Sequence, residues 1–190
     1  MLEQIFEDSF REAAKRLDEF RADRVALAAL SKLAAALNTV FEQGGKVLVA
    51  GNGGSMADAI HFAEEWTGRF RDERRPLPVM ALSDAAHLSC VSNDYGFEYV
   101  FSRTVQAFAK KGDILILLST SGNSENLLRA AKAGRAAGCH VVGFLGRDGG
   151  KLLALCDSVV MAPGTTSDRI QEIHMLSLHV LIEAVEALLG

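Results

Sequence analysis

Five short runs in this chain, residues 47–50, 79–82, 114–118, 141–145 and 159–162, are apolar from end to end. A strand with one face in water alternates apolar and polar residues. A strand apolar at consecutive positions is buried on both faces, as in a parallel sheet covered by helices on each side. Each run is followed by turn residues, and helical stretches separate the runs. The expected architecture is therefore α/β, a doubly wound five-stranded parallel sheet. In open sheets of this kind ligands bind beyond the carboxyl ends of the strands, so the chemistry is expected in the strand-to-helix turns.

Ahead of the first run, Leu2, Ile5, Phe6, Phe10, Ala13 and Leu17, then Val25, Leu27, Leu30, Leu33, Leu37 and Val40, recur at spacings of three and four. That period predicts two helices that break near residues 21–24. Their apolar stripe needs cover, either from the chain's own sheet or from another subunit. The chain is read as a helical extension over 1–43, serving oligomerisation, ahead of one sheet domain over 44–190.

A length of 190 residues with 49% hydrophobic and 23% charged side chains is ordinary for one folded domain. The net charge of -4 supplies no broad basic field, so nucleic acid is not an expected partner. No secretory signal is read at the N-terminus, and no apolar run is read as membrane-spanning, which predicts a cytoplasmic protein with no membrane partner. Cys90, Cys139 and Cys156 are odd in number and sit in apolar stretches, so no disulfide is expected.

The turn after the first run reads Gly51, Asn52, Gly53, Gly54, Ser55 and leads into a helix carrying Asp58, His61 and Glu65. Glycines let a ligand approach the backbone, and the helix start presents unpaired N–H groups to an anion. A turn of this kind also closes tight corners in proteins that bind nothing there. The third turn, Ser119, Thr120, Ser121, Gly122, Asn123, Ser124, is more specific, because hydroxyls and backbone N–H groups at a helix start form a phosphate cradle without lysine or metal. Ser124 has a rival duty as a helix cap. Three consecutive hydroxyls at a strand end go beyond what capping requires, which favours phosphate.

His61 and Glu65, four apart on a helix, project from one face and suit a shared metal ion, or else form an exposed pair. The last helix sets Gln171, His174 and His179 among Ile170, Ile173, Leu178 and Leu181. Gln171 and His179 are separated by about 12 Å of helix rise, so one ion reaching both is more easily assembled from two subunits. His174 is read as a histidine satisfied in a helix interface. Asn93 and Asp94 either contact a sugar hydroxyl or turn the chain before Gly96. Arg69, Arg71, Arg74 and Arg75 read as a solvated face.

At these residues the sequence resembles the sugar isomerase (SIS) domain superfamily and, within it, the phosphoheptose isomerases, which act on sedoheptulose 7-phosphate. The resemblance extends over nearly the whole chain. It implies one zinc ion per subunit held by His61, Glu65, Gln171 and His179, with Glu65 and His179 as the catalytic proton-transfer pair. It also implies substrate contacts from Asn52, Gly53, Gly54, Ser55, Glu65, Asn93, Asp94, Ser119, Thr120, Ser121, Ser124 and Gln171, and a homotetramer with sites at subunit boundaries. The implied reaction is enediol proton transfer from the ketose to D-glycero-D-manno-heptose 7-phosphate, the first step toward ADP-heptose or GDP-heptose and lipopolysaccharide heptose. The stretch 162–168 departs from the family pattern, with Ser167 at a place where a Thr often stands in relatives. The alternative is a noncatalytic SIS-domain protein that binds the replication initiator, and retention of Glu65 and His179 favours the enzyme.

Overall fold

A computed structural model describes residues 1–189. The five apolar runs form strands β1 (Val47–Gly51), β2 (Val79–Ala81), β3 (Ile114–Ser119), β4 (His140–Gly146) and β5 (Ser158–Ala162). They lie in one sheet in the order β2-β1-β3-β4-β5, and every pairing is parallel. The helices are α1 (Leu2–Ala22), α2 (Arg24–Glu42), α3 (Gly54–Thr67), α4 (Ala85–Asp94), α5 (Val100–Phe108), α6 (Glu125–Ala137) and α7 (Ser167–Leu189).

The two-sided burial that marked the strands is met by two separate cores. Val47, Val49, Ile114, Ile116 and Leu118 face Phe62 and Trp66 of α3, Leu37 of α2, and Ile170 and Leu181 of α7. Their neighbours Leu48, Ala50, Leu115 and Leu117 face Val91 of α4, Val105 of α5 and Leu127 of α6. Helices α3 and α6 thus leave the adjacent strands β1 and β3 toward opposite faces. The resulting crevice opens at the topological switch point, where the turns after Gly51 and Ser119 lie side by side.

At the N-terminus the helices break at Asp23, whose carboxylate accepts hydrogen bonds from the N–H groups of Val25 and Ala26 at 2.8 and 3.1 Å and so caps α2. The question of what covers the apolar stripe divides between the two helices. In α2, Leu30, Leu33, Leu37 and Phe41 are buried in the chain's own core. In α1, only Phe20 is buried, while Leu2, Ile5, Phe6 and Phe10 are exposed. By length and composition α2 is apolar enough to cross a membrane, which the sequence reading did not anticipate. Its small alanines dilute the stripe without making it polar. Cys139 is buried and Cys156 half-buried, but Cys90 is exposed on α4.

Candidate active site

The turns after β1 and β3 meet at one pocket. Asn52, Ser55, Ser119, Thr120, Ser121, Ser124, Ser167 and Gln171 line one pocket of about 190 Å³ at the carboxyl end of β1 and β3. Ser124 stands at the N-cap of α6, yet its side chain makes no capping hydrogen bond. The hydroxyl is therefore free of a capping bond, while the Ser124 carbonyl accepts from Leu127 and Leu128 at the helix start. Ser119 accepts the N–H of Gly122 at 3.0 Å, Ser121 accepts that of Asn123 at 3.3 Å, and Thr120 pairs with Ser167 at 3.1 Å. Gly122 has to be glycine, because φ is +63° and an added Cβ would overlap the carbonyl of Gly149.

Asn126 holds the two turns in register, and sequence reasoning missed it. Its carboxamide exchanges two hydrogen bonds with Asn52, at 3.0 and 2.8 Å, across the switch point. Asn126 is 3% exposed. Its place two residues after Ser124, in the first turn of the helix that leaves the serine turn, was the available signal.

A second cluster lies along α3 and α7. His61 Nε2 is 3.2 Å from Glu65 Oε1, and ligand atoms of His61, Glu65 and His179 all lie within 4.8 Å of one another. The His61 and His179 rings meet edge to face with centroids 5.0 Å apart. One chain brings these three together. His179 comes within reach of α3 because α7 packs along it through the shared core. Burial, and after it the neighbouring His61, lowers the His179 pKa, which keeps its imidazole neutral and able to accept a metal or a proton. Asp58, one turn before His61, has its carboxyl pushed up to about 6 by burial, with His61 acting in the opposite direction.

Two imidazoles and one carboxylate make a donor set that suits zinc, whose N and O ligands sit about 2.0–2.2 Å from the ion. Gln171 lies elsewhere in the same chain. Its amide donates to Ser55 Oγ at 3.3 Å, and its Oε1 would stand 2.7 Å from a Cβ on Gly54. The glycine is what lets Gln171 reach the cradle, two turns of α7 before His179.

Asn93 and Asp94 end α4, exposed and hydrogen-bonded to each other at 2.8 Å, and they do not line the serine pocket of their own chain. His174 is fully buried; its Nε2 donates to the Leu145 carbonyl of β4 at 3.2 Å, but its Nδ1 is buried without a hydrogen-bond partner, so the histidine is only half satisfied. The arginine cluster is not a uniformly solvated face. The Arg74 side chain is only 10% exposed and pairs with Glu186 at 2.8 Å.

The SIS domain family model matches residues 8–146. A phosphoheptose isomerase of Fusobacterium nucleatum is 54% identical over 158 residues, 83% of this chain and 81% of that protein. One from Vibrio cholerae is 46% identical over 187 residues, 98% of each chain. This chain belongs to the phosphoheptose isomerase family. A solved phosphoheptose isomerase from Neisseria gonorrhoeae superposes with a TM-score of 0.92 at 36% identity, covering 98% of this chain and 100% of that one. Another from Francisella tularensis gives 0.93 at 33% identity, covering 97% and 98%. Membership of the phosphoheptose isomerase family thus rests on full-length agreement in both sequence and fold. These relatives give no support to the noncatalytic, initiator-binding alternative.

Proposed function

We propose that the chain is a phosphoheptose isomerase that converts sedoheptulose 7-phosphate to D-glycero-D-manno-heptose 7-phosphate through an enediol. The observation that carries this is the meeting of His61, Glu65 and His179 in one chain of that family.

Moving the carbonyl from C2 to C1 requires a proton to leave C1 and one to arrive at C2, while O1 gives up a proton and O2 gains one. Glu65, 16% exposed at the side chain, takes and returns the carbon-bound proton. His179, held neutral by its surroundings, exchanges protons with the oxygens. The phosphate binds at the hydroxyls of Thr120, Ser121 and Ser124 and at the N-terminus of α6. Asn52, Gly53, Gly54 and Gln171 orient the sugar, and Asn93 and Asp94 contribute from outside the pocket of their own chain. Zinc bound by His61, Glu65 and His179 would polarise the carbonyl and stabilise developing oxyanion charge.

Gln171 completes the ligand set from a neighbouring subunit of a homotetramer in this reading. The exposed Leu2, Ile5, Phe6 and Phe10 of the extension over 1–43 favour such an assembly. The reading also places the protein in the cytoplasm, without nucleic acid or membrane partners, at the start of activated-heptose synthesis. Incubation of the metal-replete protein with the ketose, followed by NMR of the sugar products, tests the activity. Appearance of the manno-configured aldose supports it, and an unchanged ketose signal refutes it.

A further inference from the structure

The segment that follows α3, residues 69–75, runs along α7 and touches it at three successive points. Phe70 stacks on the His179 ring, with centroids 5.6 Å apart and planes inclined by 24°. Arg71 pairs with Glu183 at 2.8 Å, one turn further along. Arg74 pairs with Glu186 at 2.8 Å, with both side chains nearly buried at 10% and 11% exposure. Residues 179, 183 and 186 share one face of a helix.

Arg74 also reaches back to the end of α3. One guanidinium nitrogen donates to the Glu65 carbonyl at 2.7 Å, and another donates to the Trp66 carbonyl at 2.9 Å. These carbonyls belong to the last turn of the helix, where backbone acceptors lack intrahelical donors and a cation is favoured. The guanidinium further lies over the Trp66 ring, 5.5 Å from its centroid. One side chain therefore holds the main chain of Glu65 and, through Glu186, the helix that carries His179. A lysine could not do this, because it lacks the planar fork of donors.

We infer that Arg74, anchored by Glu186, is a positioning residue that sets Glu65 against His179 and so fixes the spacing of the metal-binding and proton-transfer cluster. It touches neither substrate nor metal. The surface-exposed Arg71–Glu183 pair, at 58% and 51% exposure, has no comparable hold. The inference rests on the isomerase reading for its kinetic consequence, while its effect on metal affinity stands apart from turnover.

The test compares the full-length parent with Arg74→Met, Arg74→Lys and Arg71→Met. Co2+ affinity is followed by visible absorption, and kcat and KM are measured with sedoheptulose 7-phosphate. Loss of a residue that orients metal ligands typically costs about 10–100-fold in metal affinity or activity. Arg74→Met is expected to weaken Co2+ binding and lower kcat by amounts in that range. KM should stay within about threefold, because the serine cradle is built on other turns. Arg74→Lys should recover only part of the loss, and Arg71→Met should match the parent in both readings. Folded Arg74→Met with Co2+ affinity and kcat both within twofold of the parent overturns the inference. So does a lower melting temperature without a change in Co2+ affinity, which marks a structural role alone. If Arg74→Met does not fold, Arg74→Lys is judged by the same two readings. A parent that binds Co2+ but does not isomerise the sugar refutes the functional reading, while the Co2+ ratio still decides the clamp. A parent that does neither removes the cluster the clamp was inferred to set.

Discussion

Asn52 and Asn126 face each other with their carboxamides paired, each donating to the other across the boundary between the β1 and β3 turns. The glycine-rich turn and the serine turn are thereby locked together. With Asn126 buried, an unpaired Asn52 amide at this point carries a cost of about 1–3 kcal/mol. Asn126→Leu is accordingly expected to raise KM for the sugar phosphate by about tenfold or more, with a smaller change in kcat. Steady-state kinetics check this, and inorganic phosphate as a competitive inhibitor should weaken in parallel.

The cluster on α3 and α7 makes a different demand. His61→Ala removes one of three converging donors, whereas Gln171→Ala removes a group bonded to Ser55 at the cradle. Within one chain, His61→Ala should abolish tight Co2+ binding. Gln171→Ala should raise KM, and a loss of Co2+ affinity in the assembled protein would place its amide on a neighbour's metal. Equilibrium dialysis of parent and variants distinguishes these outcomes.

His174 gives the fold a pH dependence with a definite sign. Burial drives its pKa down to about 4 from 6.5. Between those values the unfolded chain binds a proton that the folded chain refuses, so stability is full above 6.5 and falls as pH drops toward 4. The slope approaches about 1.4 kcal/mol per pH unit. Asp58, raised to about 6 from 3.8, works in the opposite sense between those two values. The diagnostic is therefore the difference between parent and His174→Gln in urea unfolding from pH 7 to pH 5. The variant, which keeps a donor for Leu145, should lose less stability on acidification than the parent.

Asp113 anchors the other end of the sheet, where its carboxylate accepts from the N–H groups of Lys46 and Lys110 and from the Lys46 ammonium at 2.6 Å. Burial raises its pKa, but these bonds together outweigh that and hold it below the ordinary carboxylate range. Its contribution is present above the unfolded value of 3.8 and is lost as pH falls through the lower folded value. Asp113→Asn cannot satisfy all three donors and should destabilise by about 2 kcal/mol without altering kcat, as read by thermal unfolding and assay.

The strands were legible because burial on both faces leaves no alternation in the sequence, and the site turns because hydroxyls and glycines cluster where a parallel sheet presents its ligand edge. The break near residues 21–24 was legible from the interrupted helical period, and the structure puts the capping carboxylate there at Asp23. Pairing across α3 and α7 was not. The rise between Gln171 and His179 was visible, but which of them α7 turns toward His61 depends on how the helices pack on the sheet. Arg74 was hidden for another reason. Four arginines among acidic residues look alike in sequence, and only the fold places one of them over the carbonyls of Glu65 and Trp66. Asn126 likewise looked like one more polar residue in the first turn of a helix.

Carbon-proton transfer at Glu65 is the claim on which the account turns, and isomerisation in D2O tests it most directly. The metal-replete parent should convert sedoheptulose 7-phosphate to the aldose with deuterium at C2, visible by NMR. Folded, metal-loaded Glu65→Gln should be slower by about 10²–10⁴-fold. Turnover by that variant at the parent's rate, or a parent that yields no aldose, would contradict the account.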